Sequence, residues 1–101
     1  MKPYYAVIFT SKRTSIEDGY ADMAQLMVDL AKEQDGFIGV ESARNEIGIT
    51  VSYWKDLESI SKWKQHSEHV IAQQLGKEKW YESYTIRICL VEREYSFISN
   101  L

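Results

Sequence analysis

The stretch IGITVSYW, residues 47–54, limits the possible folds more than any other part of the chain. Ile47, Ile49, Val51 and Tyr53 alternate with Gly48, Thr50, Ser52 and Trp54, a strict period of two that suits a strand with one apolar face and does not suit a helix. Tyr84, Ile86, Ile88 and Leu90 alternate in the same way with Thr85, Arg87, Cys89 and Val91, predicting a last strand that extends toward Tyr95 or Phe97. Tyr4–Thr10, dense in aromatic and β-branched residues behind Pro3, reads as a first strand, and Phe37–Ala43 as a second. RNEIG, residues 44–48, is the expected hairpin turn.

Two stretches change period. Ile16, Tyr20, Met23, Met27, Leu30 and Ala31 recur every three or four residues and form one apolar stripe of a helix. Thr14 or Ser15 is its expected cap and Gly36 its stop, with Gly19 inside it at a cost of about 1 kcal/mol. Asp56 caps a second helix on which Leu57, Ile60 and Trp63 share a side, with a bend expected near His66 or Ser67 and a stop at Gly76. KEKWYES, residues 77–83, reads as a linker, where Trp80 and Tyr81 would cover a pocket mouth or an interface.

The resulting order, β-α-β-β-α-β, predicts an α+β fold of ferredoxin-like plan, an antiparallel sheet with both helices on one face. No repeat or Pro/Gly-rich linker divides the 101 residues, so residues 1–101 read as a single domain. Helices can cover only one face of such a sheet. The other still carries aromatic and β-branched residues, and an exposed apolar face is a liability that assembly removes. The expected partner is a second copy, in a symmetric homodimer whose two sheets face each other.

Several function classes are excluded at this level. The net charge is −3 and no Lys/Arg cluster occurs, so nothing matches phosphate backbones and no nucleic-acid partner is expected. The single cysteine, Cys89, cannot form an internal disulfide and reads as an inert thiol in a strand. The apolar run after Met1 is too short for a signal peptide or membrane span, which points to a soluble, cytoplasmic protein with no membrane partner. His66 and His69, with Glu68 between them on another side of the helix, fall short of the three ligands zinc requires, so no metal is expected. The aromatic content of 13% is weighted to Tyr and Trp, side chains suited to half-buried pockets.

Three motifs sharpen this picture: SYWKDLES beginning at Ser52, W-K-x-H-x-E-H from Trp63 to His69, and G-K-x-x-W-Y-x-x-Y from Gly76 to Tyr84. Together with the element order they resemble the antibiotic biosynthesis monooxygenase (ABM) family, over nearly the whole chain from Tyr4 to Phe97. The resemblance is strongest to small bacterial members with no assigned substrate. It implies a dimeric α+β barrel with a pocket between each sheet and its own helices. Some family members oxidise aromatic or quinol substrates with O2 and neither metal nor flavin, others bind haem and open its ring, and others have no demonstrated activity. Fold alone does not select among these.

A cofactor-free oxygenase needs a water-shielded pocket, a proton acceptor and a group to steady developing charge. Trp54 and Trp63 would wall such a pocket around a small aromatic or hydrophobic molecule, and His66 or His69 would accept the proton. Tyr53 or Tyr84 would hold a substrate oxygen, and Arg87 would steady an anion if it points inward. Each residue has a structural counterpart: an indole on a helix's apolar stripe also serves as core, and an imidazole on a helix also serves as surface. No cofactor is expected on this reading. For the haem alternative the resemblance implies an axial histidine near Gln73 and an asparagine on the first strand, and Tyr4–Thr10 has none, so His66 or His69 would have to supply a different ligand. The remaining alternative is a non-catalytic dimeric module that binds a small hydrophobic ligand.

Overall fold

The structure, a computed structural model, describes residues 2–73 and 77–100, with side chains for 2–69 and 79–100. Its elements are β1 (Tyr4–Arg13), α1 (Tyr20–Lys32), β2 (Phe37–Arg44), β3 (Gly48–Trp54), α2 (Leu57–Gln73), the short α3 (Lys77–Trp80) and β4 (Tyr81–Val91). The four strands form one antiparallel sheet in the order β2-β3-β1-β4, the ferredoxin-like α+β arrangement expected from the sequence.

Register assigns the two faces. Residues directly opposite each other on neighbouring strands share a face. Tyr5, Val7, Phe9 and Ser11 of β1 stand between Trp54, Ser52, Thr50 and Gly48 of β3 and Leu90, Ile88, Ile86 and Tyr84 of β4. Trp54, with no exposed surface, packs with Ala31 of α1 and Ile60 of α2, so this is the helix side. Tyr5, Val7, Phe37 and Trp63 close around that core. On the far side lie Tyr4, Ala6, Ile8 and Thr10, opposite Tyr53, Val51 and Ile49 on β3 and Val91, Cys89, Arg87 and Thr85 on β4. The apolar face of the 47–54 alternation is therefore the one turned away from the helices. Beneath them β3 offers Gly48, Thr50 and Ser52, small residues that let helices approach, and one large filler, Trp54.

Several boundaries differ from the sequence expectation, each for a local reason. α1 begins at Tyr20, not at Thr14 or Ser15, and Gly19 occupies its N-cap with φ 79°, a left-handed conformation that glycine adopts without strain. Thr14 instead ties β1 to the chain after α2: its amide donates to the Trp80 carbonyl at 3.0 Å and its hydroxyl to the Lys79 carbonyl at 2.7 Å. α1 ends at Lys32, and Gly36 (φ 84°) lies in the turn beyond it, its carbonyl accepting the Lys55 amide at 2.8 Å. Asp56 does cap α2, its Oδ1 accepting the Ser59 amide at 2.8 Å. Hydrogen bonds from the Ser59 hydroxyl and amide hold the Asp56 carboxyl below its ordinary range. α2 continues through His66 and Ser67 without a break, and Ser67 Oγ donates back to the Lys64 carbonyl at 3.1 Å. The stop expected at Gly76 lies outside the described residues.

The expected linker is structured. Lys77–Trp80 is helical and β4 starts at Tyr81. Trp80 is buried, 4% exposed, and its Nε1 donates to the Asp18 carbonyl at 2.8 Å, so it is core and not a cover. A bulge follows: Lys12 pairs with Ser83 but Arg13 with Tyr81, so Glu82 is the extra residue. A second bulge sits at Ile38, between Phe37 opposite Trp54 and Gly39 opposite Tyr53. At the other end β4 stops at Val91, short of Tyr95 and Phe97. Tyr95, Phe97 and Ile98 are 84–90% exposed on a projecting tail. The radius of gyration, 14.8 Å, accordingly exceeds the roughly 13 Å of a compact chain this long. Among the described residues no helix is long and apolar enough to cross a membrane.

Candidate functional site

The helix side of the sheet is packed at one end and open at the other. Over β3, Trp63 stacks on Trp54 with ring centres 5.9 Å apart and planes 25° from parallel, and Phe37 meets Trp54 edge-on at 5.4 Å. Trp54 Nε1 is satisfied by Ser52 Oγ at 2.9 Å. The inner indole is thus wholly core, and only the outer one, half-buried Trp63, can meet a ligand. One helical turn on, the His66 ring lies 6.0 Å from that of Trp63 and is exposed. His69 is exposed one turn further along α2.

Toward β4 the same face is uncovered. Ile86, Ile88 and Leu90 are each about half exposed although they share the helix side with the buried core. With Val7 and Phe9 of β1 they make an apolar strip, here called the trough, and its nearest aromatic on α2 is Trp63, which packs against the same core as Val7. An apolar strip left open beside a packed core is what a flat hydrophobic ligand would cover. At its far end Tyr84 stacks on Phe9 (5.2 Å, 28°), and Tyr81 meets both rings edge-on at 5.8 and 5.5 Å. Burial pushes the Tyr81 phenol well above the ordinary tyrosine range, so it stays protonated and able to donate.

The remaining sequence candidates divide by face. Tyr84 is on the trough side, next to its floor. Tyr53 and Arg87 are on the far side, opposite Ala6 and Ile8, so neither reaches the trough. Trp54 belongs to the core under it. Tyr53 instead shapes a cleft of about 490 Å³ with Tyr4, Ile38, Glu41 and Glu94. Its hydroxyl donates to Glu41 Oε1 at 2.7 Å, and that bond, which the ionised phenol cannot make, raises its pKa to about 12. Burial and Glu94 raise Tyr4 as well. The cleft pairs phenols with carboxylates and no imidazole is among its lining residues, so it is the weaker candidate for oxygen chemistry. Among the described residues no three His, Cys, Asp or Glu side chains converge to hold a metal ion.

Sequence reasoning missed the polar end of the trough. Arg44 shares the helix side through its pairing with Gly48, and its guanidinium donates to the Oγ of Ser11, which is 2% exposed. Arg13 lies over the Tyr20 ring, 3.3 Å from its centre. The available signal was the glycine opposite Arg44, a gap in which a long side chain can lie across the sheet.

Comparison with known proteins follows the same lines. The chain is 47% identical over 100 residues to the uncharacterized protein YqjZ of Bacillus subtilis, covering 97% of this chain and 88% of that one. It is 29% identical over 89 residues to a jasmonate monooxygenase ABM of Pyricularia oryzae, covering 83% of this chain but 41% of that protein's length. No family model matches the chain. Among solved structures, a Nitrosomonas europaea protein of unknown function, NE2512, aligns with a TM-score of 0.74 at 10% identity, over 97% of this chain and 98% of its own. SnoaB, a cofactor-independent oxygenase from Streptomyces nogalater, aligns at 0.63 and 10%, over 98% and 100%. A mutant of MhuD with two manganese protoporphyrin IX molecules per active site aligns at 0.69 and 12%, over 92% and 99%. At these identities the solved structures speak for the fold alone.

Proposed function

The chain belongs to the same protein family as YqjZ of Bacillus subtilis, and from that premise we propose that it is an ABM-type monooxygenase. It oxidises a small aromatic or quinol-type substrate with O2, without a cofactor, in the trough under Trp63 and His66. The observation that carries this reading is the half-exposed strip of Ile86, Ile88 and Leu90 on the face the helices otherwise cover. The likeness to a jasmonate monooxygenase and to the fold of SnoaB supports it.

The chemistry asks little of the protein. A flat electron-rich substrate stacks against Trp63 and covers the apolar floor, displacing the water on it. The imidazole of His66 takes the proton whose loss makes the substrate an electron-rich anion. For an anthrone-type substrate a methylene becomes a carbonyl. One oxygen atom of O2 enters the product and the other leaves as water, with all four electrons coming from the substrate. The working unit is a homodimer joined through the far side of the sheet, where Ile8, Ile49 and Val51 leave an apolar surface.

The residues present depart from the haem pattern at two points, and His66 or His69 would have to supply the iron ligand. Gln73 stands where the resemblance puts the axial histidine, and the first strand holds no asparagine. The haem alternative therefore rests on the fold likeness to MhuD, and a haemin titration is expected to give no saturable shift of the main absorption band. A shift followed by bleaching under reductant and air would replace the present reading.

The direct test is an O2 electrode with a panel of reduced quinols and anthrones. Uptake is expected in metal-free buffer, and Trp63→Ala should abolish both uptake and ligand-induced fluorescence change while the dimer survives. Ligand binding without uptake would make the chain a passive binding module.

A further inference from the structure

We infer that the polar end of the trough is an anion subsite, where Arg44 and Arg13 hold the carboxylate of an elongated apolar substrate. This rests on the reading of the trough as the binding site and specifies what it binds. Arg44 leaves β2 on the helix side and lies flat across Gly48, where any Cβ would strike its guanidinium, to reach the buried hydroxyl of Ser11. Arg13 stands two residues further along β1 on the same face. Its Nη2 donates to the Ile16 carbonyl at 2.8 Å, and its buried Nε has no hydrogen-bond partner among the described residues.

Counter-charge is scarce here. Among the described residues Arg13 meets one carboxylate, that of Glu17 at 3.5 Å, on a side chain 80% exposed. Among the described residues Arg44 has none within ion-pair distance. A chain of net charge −3 thus keeps two guanidiniums at the mouth of an apolar trough with little to neutralise them. Both act on the same phenol, Tyr81, pulling against the burial that raises its pKa.

The spacing gives the ligand its length. From Ser11 to Val7 the floor advances four residues, roughly 13 Å at strand rise, with Phe9, Ile86 and Ile88 along it. A molecule spanning it has an apolar body of that length and one planar anion at its end. A guanidinium fork matches a carboxylate in two parallel hydrogen bonds, and a carboxylate entering an apolar trough without a cation would lose its hydration uncompensated.

The test compares a phenyl-terminated octanoate with its methyl ester, by tryptophan fluorescence titration of the wild type and Arg44→Gln. The wild type should bind the acid about tenfold more tightly than the ester, the scale of a charge-assisted pair. Arg44→Gln, with Arg13 still in place, should shrink that preference severalfold while leaving ester affinity unchanged, which also shows that the variant folds. Raising salt should shrink the preference in the wild type itself, independently of any substitution. Equal wild-type affinity for acid and ester would overturn the anion subsite and leave the trough standing. Binding of neither would overturn the trough reading and the subsite with it.

Discussion

Tyr53 and Trp54 are neighbours in sequence and opposites in environment. Trp54 faces the helices, has no exposed surface and sits at the centre of the core. Tyr53 faces away, half-buried, with its hydroxyl bound to Glu41 at the rim of an open cleft. The contrast extends to the whole sheet. The helix side is graded, closed by stacked indoles over β3 and open along β4. The far side is mixed, with an apolar patch of Ile8, Val51 and Ile49 lying between Arg87 on β4 and the Tyr53–Glu41 cleft. A graded face suits a ligand that enters beside the core, whereas an apolar patch rimmed by polar groups suits a protein partner.

The largest effect expected is on stability. Trp54→Ala should cost about 3–5 kcal/mol by denaturant unfolding, as removal of a buried indole does, whereas Tyr53→Ala next to it should cost about 1 kcal/mol. Comparable losses would mean that the two faces are equally packed. If the proposed dimer forms through the far side, a charge there, Val51→Asp, should make the protein monomeric in light scattering while leaving trough ligands bound. A variant that stays dimeric would move the partner surface elsewhere, with the exposed Tyr95–Ile98 tail the next place to look.

The smallest effect is a titration. The carboxylate of Glu41 holds Tyr53 at about 12, against an ordinary value of 10.0. The folded state therefore keeps this phenol protonated. The stability it lends is whole below pH 10 and fades as pH rises through about 12. Glu41→Gln should bring one tyrosine back toward pH 10 in an ultraviolet titration of the folded protein, with no change at the trough. An unchanged curve would show that the bond to Glu41 does not control Tyr53.

The fold was legible because its signals are periodic. Alternation in 47–54 and 84–91 and the apolar stripe from Tyr20 to Ala31 give the element types and their order. Periodicity says that a strand has two faces but not which one meets the helices, and this is why Tyr53 and Arg87 were grouped with Trp63. The face of each strand follows only from pairing. Trp80 and Tyr81 were misread as linker because their run is short and charged, and the bonds from Thr14 and to Asp18 that help fix it come from residues distant in sequence. That the rings of Trp63 and His66 lie side by side was legible because residues three apart on a helix share a face. The arginines at the other end were missed because neither is near them in sequence.

The bulge at Glu82 works as a phase shift in the strand. Tyr81 and Tyr84 are three residues apart, an odd step that would ordinarily send them to opposite sides of the sheet. The extra residue absorbs one half-period, so both pair with helix-side residues of β1 and their rings touch. Everything before Glu82 is thereby out of step with everything after it. A chain one residue shorter at this point would keep its composition and its alternation but turn Tyr81 to the far face, leaving the trough without that phenol.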